Sequence, residues 1–363
     1  MNILIPTTYN KNPYVYQLVK ALQKREEVNT VQTLVPWLFQ NDYHFDIIHL
    51  QWPESIISKK FLDAKNIAYV SNSLSEWKHR GTKLVATIHN DMPHLDKSKK
   101  AYQFYSMIYE KCDGIHHMGE NSRQVIHNNY TIDTSHITEI VIKHGNYDCF
   151  QNNISRSESR KNLSIPDNTL TVACIGTIRT KEEYWLLHKF RKALKKHSGI
   201  LLHVGSINPP YGFLKRHLRR RALTSKKNYK HYGSYVEDNK IQLFLNACDI
   251  FLIPRVNSLN SGNVALGYTF GKLVVGPNFG VIGEELRYNE NPVFKNTSQT
   301  EINSVLEEAV SLLNTEICIK NEKYAQNELD WNKLAAEYIS FYHTLSKTNS
   351  TSNDKSNIAE HDI

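Results

Sequence analysis

The chain has 363 residues, 40% apolar and 22% charged, the balance of a globular protein long enough for two cores rather than one. No stretch approaches the roughly 18 consecutive apolar residues of a membrane span, and five scattered cysteines, never spaced C-x-x-C, argue against a disulfide framework or a zinc site. The formal net charge of +8 is localised: residues 215–230, KRHLRRRALTSKKNYK, carry eight Lys and Arg and no acid.

The first ten residues, MNILIPTTYN, have neither a basic leader nor a long apolar run and read as a first strand, which predicts a cytoplasmic chain. Short apolar runs then alternate with helical patterns, the signature of βαβ units and parallel sheets. In the first half the strands are NILIP, FDIIHL, KLVATIH, DGIHHM and EIVIKH, with helices at VYQLVKALQKR and SKKAYQFYSMIYEKC. A polar linker, CFQNNISRSESRKNLSIPDNT, precedes a second series of strands: LTVACIG, ILLHVG, YKHYG, DIFLIP and KLVVGP. Helices YWLLHKFRKALKKH and NKIQLFLNAC fall between these. A last helix, DWNKLAAEYISFYHTL, spaces Trp331, Leu334, Tyr338, Phe341, Tyr342 and Leu345 along one face, with Asp330 as N-cap. The predicted organisation is therefore a first domain over 1–160, a second over 161–328, a terminal helix over 329–345 and a disordered tail over 346–363.

Ligands of open parallel sheets bind beyond the C-terminal strand ends. Histidines crowd those ends in the first half: His49, His89, the pair His116 and His117, and His144. Strands about 4.8 Å apart rarely converge such rings on one metal ion, so most are expected to be structural and no metal site is predicted. His89, followed by Asn90 and Asp91, is the one expected to work on a substrate, as a donor to a sugar hydroxyl or a proton shuttle. In the second half, CIGTIRTKEEY ends a strand on Gly176 and then supplies Arg179 and Lys181, a turn suited to a diphosphate. After DIFLIPR, Ser258, Ser261, Gly262 and Asn263 precede the pattern VALGYTFG, where the free amides of a helix start would favour a phosphate. The basic segment suits anionic headgroups or phosphorylated ligands, and no nucleic-acid motif accompanies it.

With these residues in place, residues 1–345 resemble the GT-B glycosyltransferases, especially the family 4-like (glycosyltransferase group 1) enzymes of bacterial surface polysaccharide biosynthesis. DIIHLQWPE, TIHNDMPH, VIKHGNYDCF, CIGTIRTKEE and YGSYVEDNKIQLFLNACDIFLIPR are similar, in order, to segments of such enzymes. The resemblance implies an α/β fold of two Rossmann-like parallel-sheet domains, with the helix from Trp331 crossing back onto the first. It implies transfer of a sugar from a nucleoside diphosphate sugar to a glycan acceptor, lipid-linked, in capsule, exopolysaccharide or lipopolysaccharide assembly. The nucleotide sugar is a co-substrate, and neither cofactor nor metal is expected. Donor contacts fall on Gly176, Arg179, Lys181, Ser258, Ser261, Gly262, Asn263 and, from the next loop, Glu284; acceptor contacts on His49, Trp52, Glu54 and Asn90; and catalysis on His89 and Asp91, with Asp91 or Glu54 as base if the reaction inverts configuration and no such base if it retains it. An enzyme of lipid-linked acceptors works at the inner face of the plasma membrane, where Lys215, Arg216, Arg219, Arg220 and Arg221 would hold it.

The chain departs from that family's pattern in two respects: the usual Lys-Gly pair is absent from IRTKEE, where the spacing is one residue short, and the glutamates of the donor helix are not in place. Many family 4 enzymes carry two glutamates around the donor helix, one for the ribose and one for the sugar; near those places stand Leu259 and Gly267. Two other readings therefore stay open, an epimerase that converts a nucleotide sugar without an acceptor and an inactive relative that binds without turnover.

Overall fold

A computed structural model describes residues 1–8, 12–40, 42–90, 98–233 and 236–347. Asp91 and residues 348–363 of the expected tail lie outside them. The chain divides into two compact units, residues 1–145 with 330–363, and residues 146–329.

Unit 1 begins with β1 (Asn2–Leu4), α1 (Pro13–Gln23), β2 (Thr30–Gln32), β3 (Ile47–Leu50), α2 (Ala64–His79), β4 (Lys83–Ile88), α3 (Lys99–Lys111), β5 (Gly114–His117), α4 (Arg123–Asn129) and β6 (Thr138–Val141). Its sheet is parallel in the order β2-β1-β3-β4-β5-β6. Strands β3, β4 and β5 are buried along their whole length, as strands covered on both faces must be. Because the order reverses between β1 and β3, the crevice of this sheet opens at the ends of those two strands.

Unit 2 contains α5 (Arg156–Asn162), β7 (Thr171–Ile175), α6 (Lys181–Leu194), β8 (Ile200–Val204), α7 (Phe213–Thr224), β9 (Tyr229–Tyr232), α8 (Asp238–Ala247), β10 (Ile250–Leu252), α9 (Asn263–Thr269), β11 (Leu273–Pro277), α10 (Gly280–Tyr288), β12 (Val293–Phe294), α11 (Gln299–Leu312) and α12 (Ile317–Asn327). The sheet, again parallel, runs β12-β11-β10-β7-β8-β9. Alternate residues feed separate cores on its two faces: Val172, Cys174, Leu201, Ile250 and Val275 on one, Ala173, Leu202, Phe251, Ile253 and Val274 on the other. Here the order reverses between β7 and β10.

The unit boundary falls at 145/146, earlier than the expected 160, because α5 is bolted to unit 2. Arg160 on α5 is fully buried, and its Nη2 donates to both carboxylate oxygens of Asp249 at 3.0 and 2.8 Å. The chain then returns to unit 1 as α13 (Trp331–Lys347), which packs against α1 and runs past the expected end at 345. Its Trp331 ring lies against Gly145, where a Cβ would come within 2.1 Å of it.

The tyrosines of α13 explain the histidine-rich strands. His116 Nε2 donates to the Ile142 carbonyl at 2.8 Å, so its Nδ1 accepts from the Thr87 hydroxyl at 2.9 Å. Thr87 Oγ1 in turn accepts from His49 Nε2 at 2.8 Å, and His49 Nδ1 accepts from the Tyr342 hydroxyl at 2.7 Å. Both rings are fully buried. Burial lowers the pKa of each, that of His116 to about 4, which keeps the chain of donors and acceptors in this neutral form.

Candidate functional site

At the crevice of unit 1, Gln51 and Trp52 follow β3, and His89 follows β4. The Trp52 and His89 rings are stacked at 3.9 Å with 15° between planes. Tyr14 of α1 meets the His89 ring edge-on at 5.3 Å and lies 4.9 Å from His144 and 5.5 Å from Trp331. His89 Nε2 donates to Gln51 Oε1 at 2.9 Å. Glu54 accepts the Tyr105 hydroxyl, and that phenol is raised well above its usual pKa by burial first and by the Glu54 charge second.

At the crevice of unit 2, the loop after β7 is tied down carbonyl by carbonyl. Ile175 O accepts from Asn263 Nδ2 at 2.7 Å, Gly176 O from His203 Nε2 at 3.0 Å, and Thr177 O from Arg255 Nη1 at 2.9 Å. Each donor comes from a different element. His203 is buried, and desolvation lowers its pKa to about 4, so the neutral ring accepts from Tyr229 through Nδ1. Gly176 sits at φ +119, a conformation that excludes ordinary side chains. Thr180 then caps α6 with Glu183 in a capping box. Glu183 Oε2 also accepts the Arg179 backbone N–H at 2.6 Å, and its Oε1 pairs with Arg255 at 2.7 Å. The Arg179 side chain stands exposed on this pinned loop.

No protein-family model matches the chain. Over 272 residues it is 24% identical to a GDP-mannose:glycolipid 4-beta-D-mannosyltransferase of Xanthomonas campestris pv. campestris, covering 74% of this chain and 70% of that protein. Among solved structures, sucrose-phosphate synthase of Thermosynechococcus elongatus matches with a TM-score of 0.70 at 13% identity, over 96% of this chain and 100% of that one. Anabaena Alr3699/HepE in complex with UDP-glucose matches with a TM-score of 0.68 at 14% identity, over 94% and 99%.

The chain has the GT-B fold.

Within this GT-B frame the predicted donor residues divide. Gly176 and Arg179 share the strand end at the switch point, and the loop carrying Ser258, Ser261 and Gly262 follows β10. Asn263 spends its side-chain amide on Ile175 O rather than offering it to a ligand. The helix it starts, α9, has only seven residues and hence a small dipole, so it is a weaker anion site than expected. Lys181 leans away, its ammonium 5.4 Å from the Tyr211 ring. Glu284 is half-buried on α10. Leu259 is buried, and a side chain on Gly267 would strike Val274 and Phe251.

In unit 1, His89 and Trp52 come together, with Asn90 buried beside them. His49 does not join them. It was expected to touch an acceptor, but both ring nitrogens are consumed inside the core by Tyr342 and Thr87. Glu54 is tied to Tyr105. Sequence reasoning missed Tyr14, Gln51, Glu183, His203 and Arg255. Of these, Glu183 had a signal in T-x-x-E before an apolar run, and Arg255 one in an arginine ending a buried strand.

Proposed function

We propose that this GT-B chain is a glycosyltransferase: unit 2 binds a nucleoside diphosphate sugar, unit 1 binds a glycan acceptor on a lipid carrier, and the reaction serves assembly of a bacterial surface polysaccharide. The observation that carries the reading is the pinned strand end at Gly176–Thr180, which presents the exposed Arg179 at the switch point of unit 2. Breaking the glycosidic bond to the diphosphate leaves growing negative charge on the leaving group. Arg179 offsets that charge from a loop whose carbonyls and amides are already bonded, so little reorganisation accompanies the reaction. The likeness to a protein named for mannosyl transfer to a glycolipid and to a structure holding UDP-glucose supports the class of substrate.

On unit 1 the stacked Trp52 and His89 rings suit contact with a sugar ring, and in this reading His89 hydrogen-bonds a reacting hydroxyl or takes its proton. If the reaction inverts configuration, Asp91 or Glu54 is the carboxylate available as base. Glu54 must first release the Tyr105 hydroxyl.

The surface of α7 supports work at a membrane. Leu214 is 70% and Leu218 58% exposed, with Trp185 of α6 44% exposed. Lys215, Arg216, Arg219, Arg220 and Arg221 lie among them, and Arg219 stacks 5.0 Å from the Trp185 ring and 4.5 Å from Tyr211. Apolar side chains ringed by cations suit the interface of an anionic leaflet. Among the described residues no helix is long and apolar enough to cross a membrane.

The test is turnover of UDP-, GDP-, dTDP- and ADP-sugars with lipid-linked acceptors, by the natural protein and by Arg179→Ala. Loss of one such orphaned transition-state contact is worth roughly a hundredfold or more in turnover. An Arg179→Ala variant with full turnover would refute the donor assignment. Conversion of a nucleotide sugar in the absence of any acceptor would move the protein to the epimerase class instead.

A further inference from the structure

Arg255 ends the β10 segment on one side of the unit 2 switch point, and Gly176 ends β7 on the other. Arg255 is 7% exposed, yet its side chain is not simply stored in the core. Its two bonds, to Thr177 O at 2.9 Å and Glu183 Oε1 at 2.7 Å, both use Nη1. Nη2 comes up beside the Gly176 backbone, 2.9 Å from where a Cβ would stand. Any side chain at residue 176 would push it away, so the bare backbone there leaves room for this cation as well as for a ligand.

Glu183 sets the spacing of two cations. One carboxylate oxygen holds the Arg255 guanidinium, and the other holds the Arg179 backbone amide, so both arginines are placed by the same buried group. Two guanidinium charges against one carboxylate leave the strand end net positive. Meanwhile Leu259, on the loop after β10, is buried, and Gly267 of α9 has no room for a side chain.

We propose that Arg255 is a second cation for the donor diphosphate, positioned by Glu183. The proposal rests on the donor reading of unit 2. Charge-assisted bonds from two guanidinium groups with different approach directions grip a diphosphate where one would only touch it.

The experiment measures equilibrium binding of UDP, GDP, dTDP and ADP, each beside its parent nucleoside, to the full chain and to Arg255→Gln, Arg255→Lys and Glu183→Gln. Arg255→Gln should weaken the bound diphosphate roughly tenfold to a hundredfold, the worth of one hydrogen bond to a charged group, while nucleoside binding stays unchanged. Arg255→Lys should recover part of that loss, because an ammonium restores the charge but cannot fork to Glu183 and the ligand together. Glu183→Gln should weaken diphosphate binding less than Arg255→Gln does. If Arg255→Gln keeps its diphosphate affinity, or loses nucleoside and diphosphate in parallel, Arg255 is structural and the proposal fails. Should Arg255→Gln not fold, Arg255→Lys decides: affinity equal to the natural protein's, with equal salt dependence, overturns it. Natural protein that binds none of the diphosphates would refute the donor reading itself, and this inference with it.

Discussion

Replacing Arg160 by methionine keeps most of the side-chain volume and deletes every donor of a buried cation. Six bonds disappear: Nε to Ala247 O at 3.0 Å, Nη1 to the carbonyls of Pro166, Asp167 and Thr169 at 3.0, 2.6 and 2.9 Å, and Nη2 to the two Asp249 oxygens at 3.0 and 2.8 Å. Breaking a buried ion pair by removing one partner costs about 3–5 kcal/mol. The lower end applies here, since Asp249 retains the Thr171 amide at 2.8 Å and Arg156 at 2.9 Å. For a unit of this size about 2–4 °C is lost per kcal/mol, so a loss of about 3 kcal/mol lowers the melting temperature of unit 2 by about 6–12 °C. Differential scanning calorimetry of the natural chain, Arg160→Met and Arg160→Lys measures it, with lysine intermediate because it cannot serve both the carbonyls and Asp249. A methionine variant melting within about 2 °C of the natural chain would refute the claim that this network fastens α5 to unit 2.

Acid should destabilise unit 1 within a defined window. Burial first of all lowers the pKa of His116 and His144 to about 4 and that of His117 to about 3. The unfolded chain, with histidines near 6.5, therefore binds more protons than the folded one as pH falls from about 6.5 to about 4, and stability drops across that interval. A urea midpoint constant from pH 7 to pH 4 would contradict this. Gly145→Ala drives a methyl into the Trp331 ring, 2.1 Å from Cε2, and should cost about 1–3 kcal/mol through overpacking, with a red shift of tryptophan emission as the ring is displaced. Unchanged stability and emission would mean the ring has room to move. Neutralising Arg219, Arg220 and Arg221 should release the protein from phosphatidylglycerol vesicles but leave its negligible binding to phosphatidylcholine as it was, at about 1 kcal/mol per charge. Vesicle binding indifferent to those charges and to salt would remove the membrane role.

The alternation of apolar runs with helical patterns was enough to specify two parallel α/β sheets and a closing helix, because each strand and helix carries its own periodicity. Strands β2 and β12 escaped notice, because each buries a single residue and so shows no apolar run. The strand-end turn Gly176–Lys181 was also visible as a local pattern, a glycine followed by cations, although its T-x-x-E cap was missed. What tertiary structure alone decided is which of these polar groups remain available. His49 looked like its neighbour in pattern His89 until Tyr342, 293 residues away, took its Nδ1. Arg255 became part of the candidate donor site only when the sheet order set β10 beside β7 and brought Glu183, 72 residues back, against it. Arg160 looked like linker until Asp249, 89 residues on, buried it in unit 2. A side chain's own sequence neighbourhood says what it can bond; strand order and helix docking, which join residues far apart in the chain, say what it does bond.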